Sequence, residues 1–140
     1  VNKKKIIWLT GQPGSGKTTL ANALYNEIVT KKLKAIIIDG DDIRDVLDNK
    51  DYSEKGRKKN IQFAIDMAKV MSNKGYHVLV SLVSPYRNLR IGEIFYLESS
   101  RKLRKDYWVK DYEEPLENFT RIDTNKKIED CIDEIFNVYW

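Results

Sequence analysis

The chain reads as an α/β protein, a three-layer sandwich around a parallel sheet, organised as a single domain over residues 1–140. Two observations carry that reading. Short apolar runs rich in β-branched and aromatic residues alternate with longer stretches of helical periodicity, the order in which buried parallel strands and their crossover helices follow one another. Between the first run and the first helix stands Gly11-Gln12-Pro13-Gly14-Ser15-Gly16-Lys17-Thr18. This is a complete G-x-x-x-x-G-K-[ST] loop in the strand-to-helix context that such a loop requires.

Taken in order, the first strand is Ile6-Ile7-Trp8-Leu9. The loop after it predicts a P-loop nucleoside triphosphate hydrolase or kinase fold: glycines let backbone N–H groups turn inward around phosphate oxygens, and the next helix presents its positive end. Gly11, Gly14, Ser15, Gly16, Lys17, Thr18 and Thr19 are the candidate ATP-binding residues. Lys17 would neutralise the β- and γ-phosphates and the Thr18 hydroxyl would hold Mg²⁺. The helix runs to about residue 30, with Leu20, Ala21, Ala23 and Leu24 among its apolar positions. Runs 35–38, 78–83 and 94–97 are the next strands. The longest helix covers 54–73, where Ile61, Ala64, Ile65, Ala68 and Met71 form one stripe and Asn73-Lys74-Gly75 supplies the stop. Segment 106–118 sets Tyr107, Trp108, Tyr112 and Pro115 among charges without periodicity and reads as a mobile loop or lid. Residues 119–122 add an edge strand. A last helix opens near Thr124 or Asn125 and carries Ile128, Ile132, Ile135, Phe136 and Tyr139 on one side.

At 140 residues, 41% hydrophobic and 33% charged, the chain suits one compact core and is too short for two ordinary domains. No apolar stretch approaches the ~20 residues of a membrane span. The basic start Val1-Asn2-Lys3-Lys4-Lys5 lacks the apolar core and cleavage site of a secretory signal, so a cytoplasmic protein is expected. Cys131, the one cysteine, lies among Ile128, Ile132 and Ile135 and reads as a small core hydrophobe. His77 is given a structural place and no catalytic role. The net charge is +4 with a pI near 9.0, but the basic residues are interleaved with 21 acidic ones. That favours small polyanionic ligands over nucleic acid. In the densest basic patches, 55–59 and 101–105, a solvated helix face and phosphate binding explain the pattern equally well.

After the second strand comes Asp39-Gly40-Asp41-Asp42-Ile43-Arg44, at a strand's carboxyl end, where open α/β sheets bind ligands. Asp39 and Asp41 are candidates for ordering Mg²⁺, with Asp39 a metal ligand, and for taking the proton of an attacking hydroxyl. Arg44 is a candidate anion clamp. The same residues also make a good turn with a helix cap.

The order of the remaining motifs resembles the adenosine 5′-phosphosulfate kinase family across nearly the whole chain. Its phosphate loop stands at Gly11 to Thr18 and its D-G-D-x-[IV]-R at Asp39 to Arg44. Its F-S-x-x-x-R-x-x-N-I corresponds to Tyr52 through Ile61, with tyrosine for phenylalanine. Its S-P-Y-R is Ser84-Pro85-Tyr86-Arg87, and its F-T-G-I-D is matched to Phe119-Thr120-Arg121-Ile122-Asp123. The resemblance implies transfer of the ATP γ-phosphate to the ribose 3′-hydroxyl of adenosine 5′-phosphosulfate, with Mg²⁺. It places Lys17, Asp39, Asp41 and, as a phosphoserine site in parts of the family, Ser84 in the catalytic set. Asp41, Arg44, Tyr52, Arg57, Asn60, Ser84, Pro85, Arg87 and Phe119 become acceptor-binding residues, with Tyr52 and Phe119 sandwiching the base. Direct in-line transfer needs no covalent step. The implied partner is a small nucleotide, with neither nucleic acid nor membrane, and homodimers are common in the family.

Two features depart from the family. Glu117 stands where a lysine precedes the F-T-G-I-D phenylalanine by two. Near ~4 Å and an effective dielectric of ~20, that exchange is a swing of about 8 kcal/mol toward one ligand charge. Either Glu117 points away or the acceptor is another 5′-modified nucleotide, such as cytidine diphosphoramidate. The stretch between Leu97 and Phe119 is also shorter than the family's, so Arg101, Arg104 and Lys110 take no assigned role. A non-catalytic nucleotide-binding module is a third reading, against which Lys17, Thr18, Asp39, Asp41 and Arg44 all argue.

Overall fold

The computed structural model describes residues 5–101 and 104–140. The basic start at 1–4, and positions 102 and 103 of the second basic patch, lie outside the described residues. Five strands, β1 (Ile6–Thr10), β2 (Ala35–Asp39), β3 (His77–Ser81), β4 (Glu93–Glu98) and β5 (Phe119–Asp123), form one sheet in the order β2-β3-β1-β4-β5. Every pairing is parallel. The helices are α1 (Lys17–Thr30), α2 (Gly40–Leu47), α3 (Glu54–Asn73) and α4 (Ile128–Tyr139).

Alternation along β1 divides the core. Ile7 and Leu9 face α1 and α4, packing with Leu24, Ile28, Phe95 and Ile135, while Ile6 and Trp8 face α2 and α3, packing with Ile43, Ile61, Ala64 and Val80. Helices therefore cover both faces, giving three layers. Cys131 is buried in the first cluster, where burial pushes its thiol above the usual range. His77 is buried too, its Nδ1 2.6 Å from the Tyr139 hydroxyl.

Three boundaries differ from the sequence expectation. The α2 helix was not expected: its eight residues bury only Ile43, too little apolar pattern to announce a helix. β3 stops at Ser81, and the Leu82 N–H to Leu9 O bond, long at 3.4 Å, is the last rung to β1. The last helix begins at Ile128, since Asn125 is occupied elsewhere: its Oδ1 accepts from Ser100 N–H and both Ser99 and Ser100 hydroxyls. The β4–β5 connection contains one short 3₁₀ turn, Lys105–Tyr107.

The α2–α3 junction depends on a glycine. A Cβ on Gly56 would lie 2.1 Å from Asp51 O, so only glycine lets the first turn of α3 close on the preceding loop. Gly56→Ala should lower stability by ~1–3 kcal/mol, the usual cost of overpacking, read as a shifted urea midpoint at unchanged slope. An unshifted midpoint would mean the helix moves away at no cost.

Candidate functional site

The carboxyl ends of β1, β2 and β3 open into a cleft of about 1070 Å³. Gly16, left-handed at φ 100°, turns the loop into α1. Its neighbour Lys17 is 9% exposed and donates to the carbonyls of Gly11 and Gln12, both at 3.0 Å. Burial, helped by the Arg104 guanidinium and opposed by Asp39, lowers the ammonium from 10.5 to about 8. Gly14, Thr18 and Thr19 also line the cleft. Ser15 is buried with no partner for its hydroxyl among the described residues, while its carbonyl accepts from the Thr124 hydroxyl at 2.7 Å.

Opposite the loop, Asp39 caps α2, its Oδ1 accepting from Asp41 N–H at 3.0 Å. Burial raises the Asp39 carboxyl above its ordinary value. Arg44 donates to Asn49 O and Asp51 O and lies 4.0 Å from the Tyr52 ring centroid. Asn60 accepts from Asn49 Nδ2 at 2.7 Å, and Asn49 also donates to Gly56 O. Asp41, Arg44, Tyr52, Arg57, Asn60, Ser84 and Pro85 all line the cleft. Thr18 and Asp39 offer hard oxygen donors, a hydroxyl and a carboxylate, which fit Mg²⁺ alongside ligand phosphates.

Other expected residues lie elsewhere or are held differently. Ser84 reaches the cleft, but its side chain is buried. Its hydroxyl accepts from Trp8 Nε1 at 2.9 Å and donates to Thr10 Oγ1 at 3.0 Å. The hydroxyl is thus engaged by Trp8 and Thr10, and a catalytic role would require it to leave them. Arg87 lies in an adjoining hollow of about 750 Å³ shared with Tyr52 and Arg57, and its Nε donates to Glu114 O. Phe119 opens β5 beside Ile94, level with Trp8 and Val80 across the sheet, and is absent from the cleft lining. It is therefore not brought together with Tyr52. Glu117, two residues earlier, is exposed and also outside the lining.

The residues that line the cleft in their place carried only coarse signals, a basic patch and an aromatic, charged loop. Arg104, Tyr107 and Val109 line the cleft from the β4–β5 connection, where no periodicity guides the eye. Arg90 is 7% exposed, donates to Ser84 O and Glu113 O, and lies 5.2 Å from the Tyr112 ring centroid. Thr124, Lys126, Ile128 and Cys131 close the end next to Gly16 and Leu20.

The family model for adenylylsulphate kinase matches residues 3–124. The chain belongs to the adenylylsulphate kinase family. An adenylyl-sulfate kinase of Prochlorococcus marinus is 42% identical over 106 residues, covering 75% of this chain and 49% of that relative. One of Burkholderia ambifaria is 38% identical over 87 residues, covering 61% and 48%. The chain thus spans about half the length of the curated relatives it matches. Among solved structures, the Mycobacterium tuberculosis APS kinase in complex with AMPPNP and APS shares the fold at a TM-score of 0.83 and 21% identity, covering 94% of this chain and 95% of the other. A Sinorhizobium meliloti gluconokinase shares it at 0.64 and 15%, covering 96% and 90%.

Lys17 generates a pH prediction. A bound phosphate raises the ammonium's affinity for its proton, so the electrostatic contribution is complete below pH 8 and fades as pH rises through the bound value. Affinity for Mg-AMPPNP should fall above pH 8 by at most about ten-fold per pH unit, with proton uptake on binding. Calorimetry at pH 8.5 to 9 in buffers of different ionisation enthalpy checks this, and Lys17→Arg should remove the uptake.

Proposed function

We propose that this chain transfers the γ-phosphate of Mg-ATP to the ribose 3′-hydroxyl of adenosine 5′-phosphosulfate. The observation supporting it is one cleft lined by Pro13, Gly14, Gly16, Lys17 and Thr18 of the phosphate loop and also by Asp39, Asp41, Arg44, Arg57 and Asn60, in a member of this family. Lys17 would leave the Gly11 and Gln12 carbonyls for the β- and γ-phosphates. Thr18 and Asp39 would hold Mg²⁺, which neutralises phosphate charge when bound. Asp41, exposed in the first turn of α2, would accept the proton of the 3′-hydroxyl as its oxygen bonds to phosphorus and the bond to the ADP oxygen breaks. Arg44 and Arg57 would fix the anionic 5′ group.

Tyr52 offers the base one aromatic face, the other side of its ring being covered by Arg44. On the β4–β5 connection Tyr107, 69% exposed and in the lining, takes the part first expected of Phe119. We propose segment 106–118 as the lid over this end. A different acceptor was suggested by Glu117, and its position outside the lining withdraws that reason. No helix among the described residues is long and apolar enough to cross a membrane. One solved neighbour, from Thiobacillus denitrificans, is a hexameric APS kinase; we infer an oligomer, with no preference for a dimer.

The test is ADP release from Mg-ATP with adenosine 5′-phosphosulfate, the product identified by mass as the 3′-phosphorylated nucleotide. Absence of turnover would overturn the proposed acceptor. Lys17→Ala should slow turnover about 100-fold or more by removing preorganised charge. Tyr52→Ala should raise acceptor KM with little change in kcat. Ser84→Ala should lower stability by about 1–3 kcal/mol by unpairing Trp8 Nε1–H, and wild-type protein incubated with Mg-ATP should show no phosphoserine by mass; phosphate found on Ser84 would make it a nucleophile.

A further inference from the structure

The carboxamide of Gln12 is fully engaged by one backbone unit across the cleft. Its Nε2 donates to Val109 O at 2.9 Å and its Oε1 accepts from Val109 N–H at 2.8 Å. One residue further along each partner, the Trp108 indole Nε1 donates to Pro13 O at 3.1 Å. Three hydrogen bonds thus fasten two consecutive residues of the phosphate loop to two consecutive residues of the β4–β5 connection, 97 positions away. Residue 12 is a position that the loop's phosphate chemistry leaves open to any side chain, so its pairing with Val109 is a property of this chain.

Gln12 also touches the phosphate site. Its carbonyl accepts from the Lys17 ammonium at 3.0 Å, a bond that a bound phosphate competes for. Val109, at the other end of the pairing, lines both the main cleft and the adjoining hollow where Tyr52 and Arg57 sit. One residue therefore connects the group that meets the donor phosphates to the wall of the acceptor end. Downstream, the connection is held independently of Gln12: Tyr112 Oη lies 2.7 Å from Thr10 Oγ1, and Glu113 N–H donates to Pro85 O at 2.9 Å. Cutting the Gln12 pairing removes both bonds to Val109, leaves Trp108 on Pro13 O and leaves residues from 112 onward in place.

We propose that Gln12 is a positioning residue that couples phosphate binding at the loop to the acceptor wall at 107–109. The proposal rests on the division of the cleft into donor and acceptor ends given above. Coupling of this kind is reciprocal: whatever acceptor the wall contacts must in turn change donor affinity by the same factor.

NMR-detected hydrogen exchange tests it on the wild type, Gln12→Met, which keeps the size and removes both bonds, and Gln12→Ala. In ligand-free protein the Val109 amide should exchange about ten-fold faster in both variants, the scale of lost hydrogen bonds of ordinary strength. The Glu113 amide should be unchanged. With Mg-AMPPNP, exchange at 107–109 should respond in the wild type and not in the variants, whose binding is followed separately by calorimetry. In turnover, the variants should raise acceptor KM more than they lower kcat. Equal Val109 exchange in all three proteins, or the same response to AMPPNP, overturns the coupling while leaving the donor reading standing. Failure of the wild type to bind Mg-AMPPNP overturns the donor reading and the coupling with it.

Discussion

The mouth of the sheet hangs on one buried hydroxyl, that of Ser84. It accepts the indole N–H of the fully buried Trp8 and donates to Thr10 Oγ1. The Thr10 hydroxyl in turn donates to Val83 O at 2.7 Å, which leaves its oxygen to accept from Tyr112 as well. Each hydroxyl in this chain of groups has a partner. In a low-dielectric interior that matters, because a satisfied network stiffens its surroundings and an unpaired member costs ~1–3 kcal/mol. Ser84 holds a left-handed backbone at φ 40°, a strain of order 1–3 kcal/mol that persists only where the neighbours over-determine it.

From that knot the site is built outward. Arg90 donates to the Ser84 carbonyl, continues to Glu113 O and stacks against Tyr112. The segment after β3 and the later half of the β4–β5 connection are thereby held to the end of β1, the strand that also launches the phosphate loop. Gly11 completes the joint from the other side: a Cβ there would meet Leu97 O at 2.7 Å, so the loop starts in contact with β4. Donor loop, Ser84 and connection share one foundation, and a side chain lost from it is felt at all three.

What the sequence made legible follows from which physics is local. Apolar runs and the 3.6-residue stripe of α3 report burial directly, so strands, layers and the two core faces were readable. The phosphate loop was readable because its chemistry fixes residue types at fixed spacing. Phe119 and Glu117 misled for the complementary reason. A linear match to F-T-G-I-D cannot say whether a residue reaches the cleft, and Phe119 lies in β5 beside Ile94, outside the lining. Gln12, Arg90 and Tyr112 were invisible because each acts through a backbone or ring far away in sequence, at 97, 23 and 102 positions, and no local pattern encodes such a partner. Ser84 was found for its motif, but the burial of its hydroxyl was not legible, since exposure is a tertiary property.

The electrostatics of the cleft argue for what it is built to receive. The cations that line it are held largely by neutral groups: Lys17 by two carbonyls, Arg44 by two carbonyls and the Tyr52 ring, Arg101 by Thr124 O and Ser99 Oγ, and Arg104 against the Tyr107 ring. Among the described residues the ion pairs are Lys58 with Glu54, Arg121 with Glu98 and Lys126 with Glu134, and of these cations only Lys126 reaches the cleft. Carbonyls and ring faces orient a cation without neutralising it, so the charge stays available to a ligand. Burial and the Arg104 guanidinium lower the ammonium of Lys17, and an anion bound beside it would raise it again. A polyanion entering the cleft needs to break no salt bridge at Lys17, Arg44, Arg101 or Arg104, and it relieves the repulsion between Lys17 and Arg104. The protein's own packing thus makes phosphate binding the step that completes its charge balance.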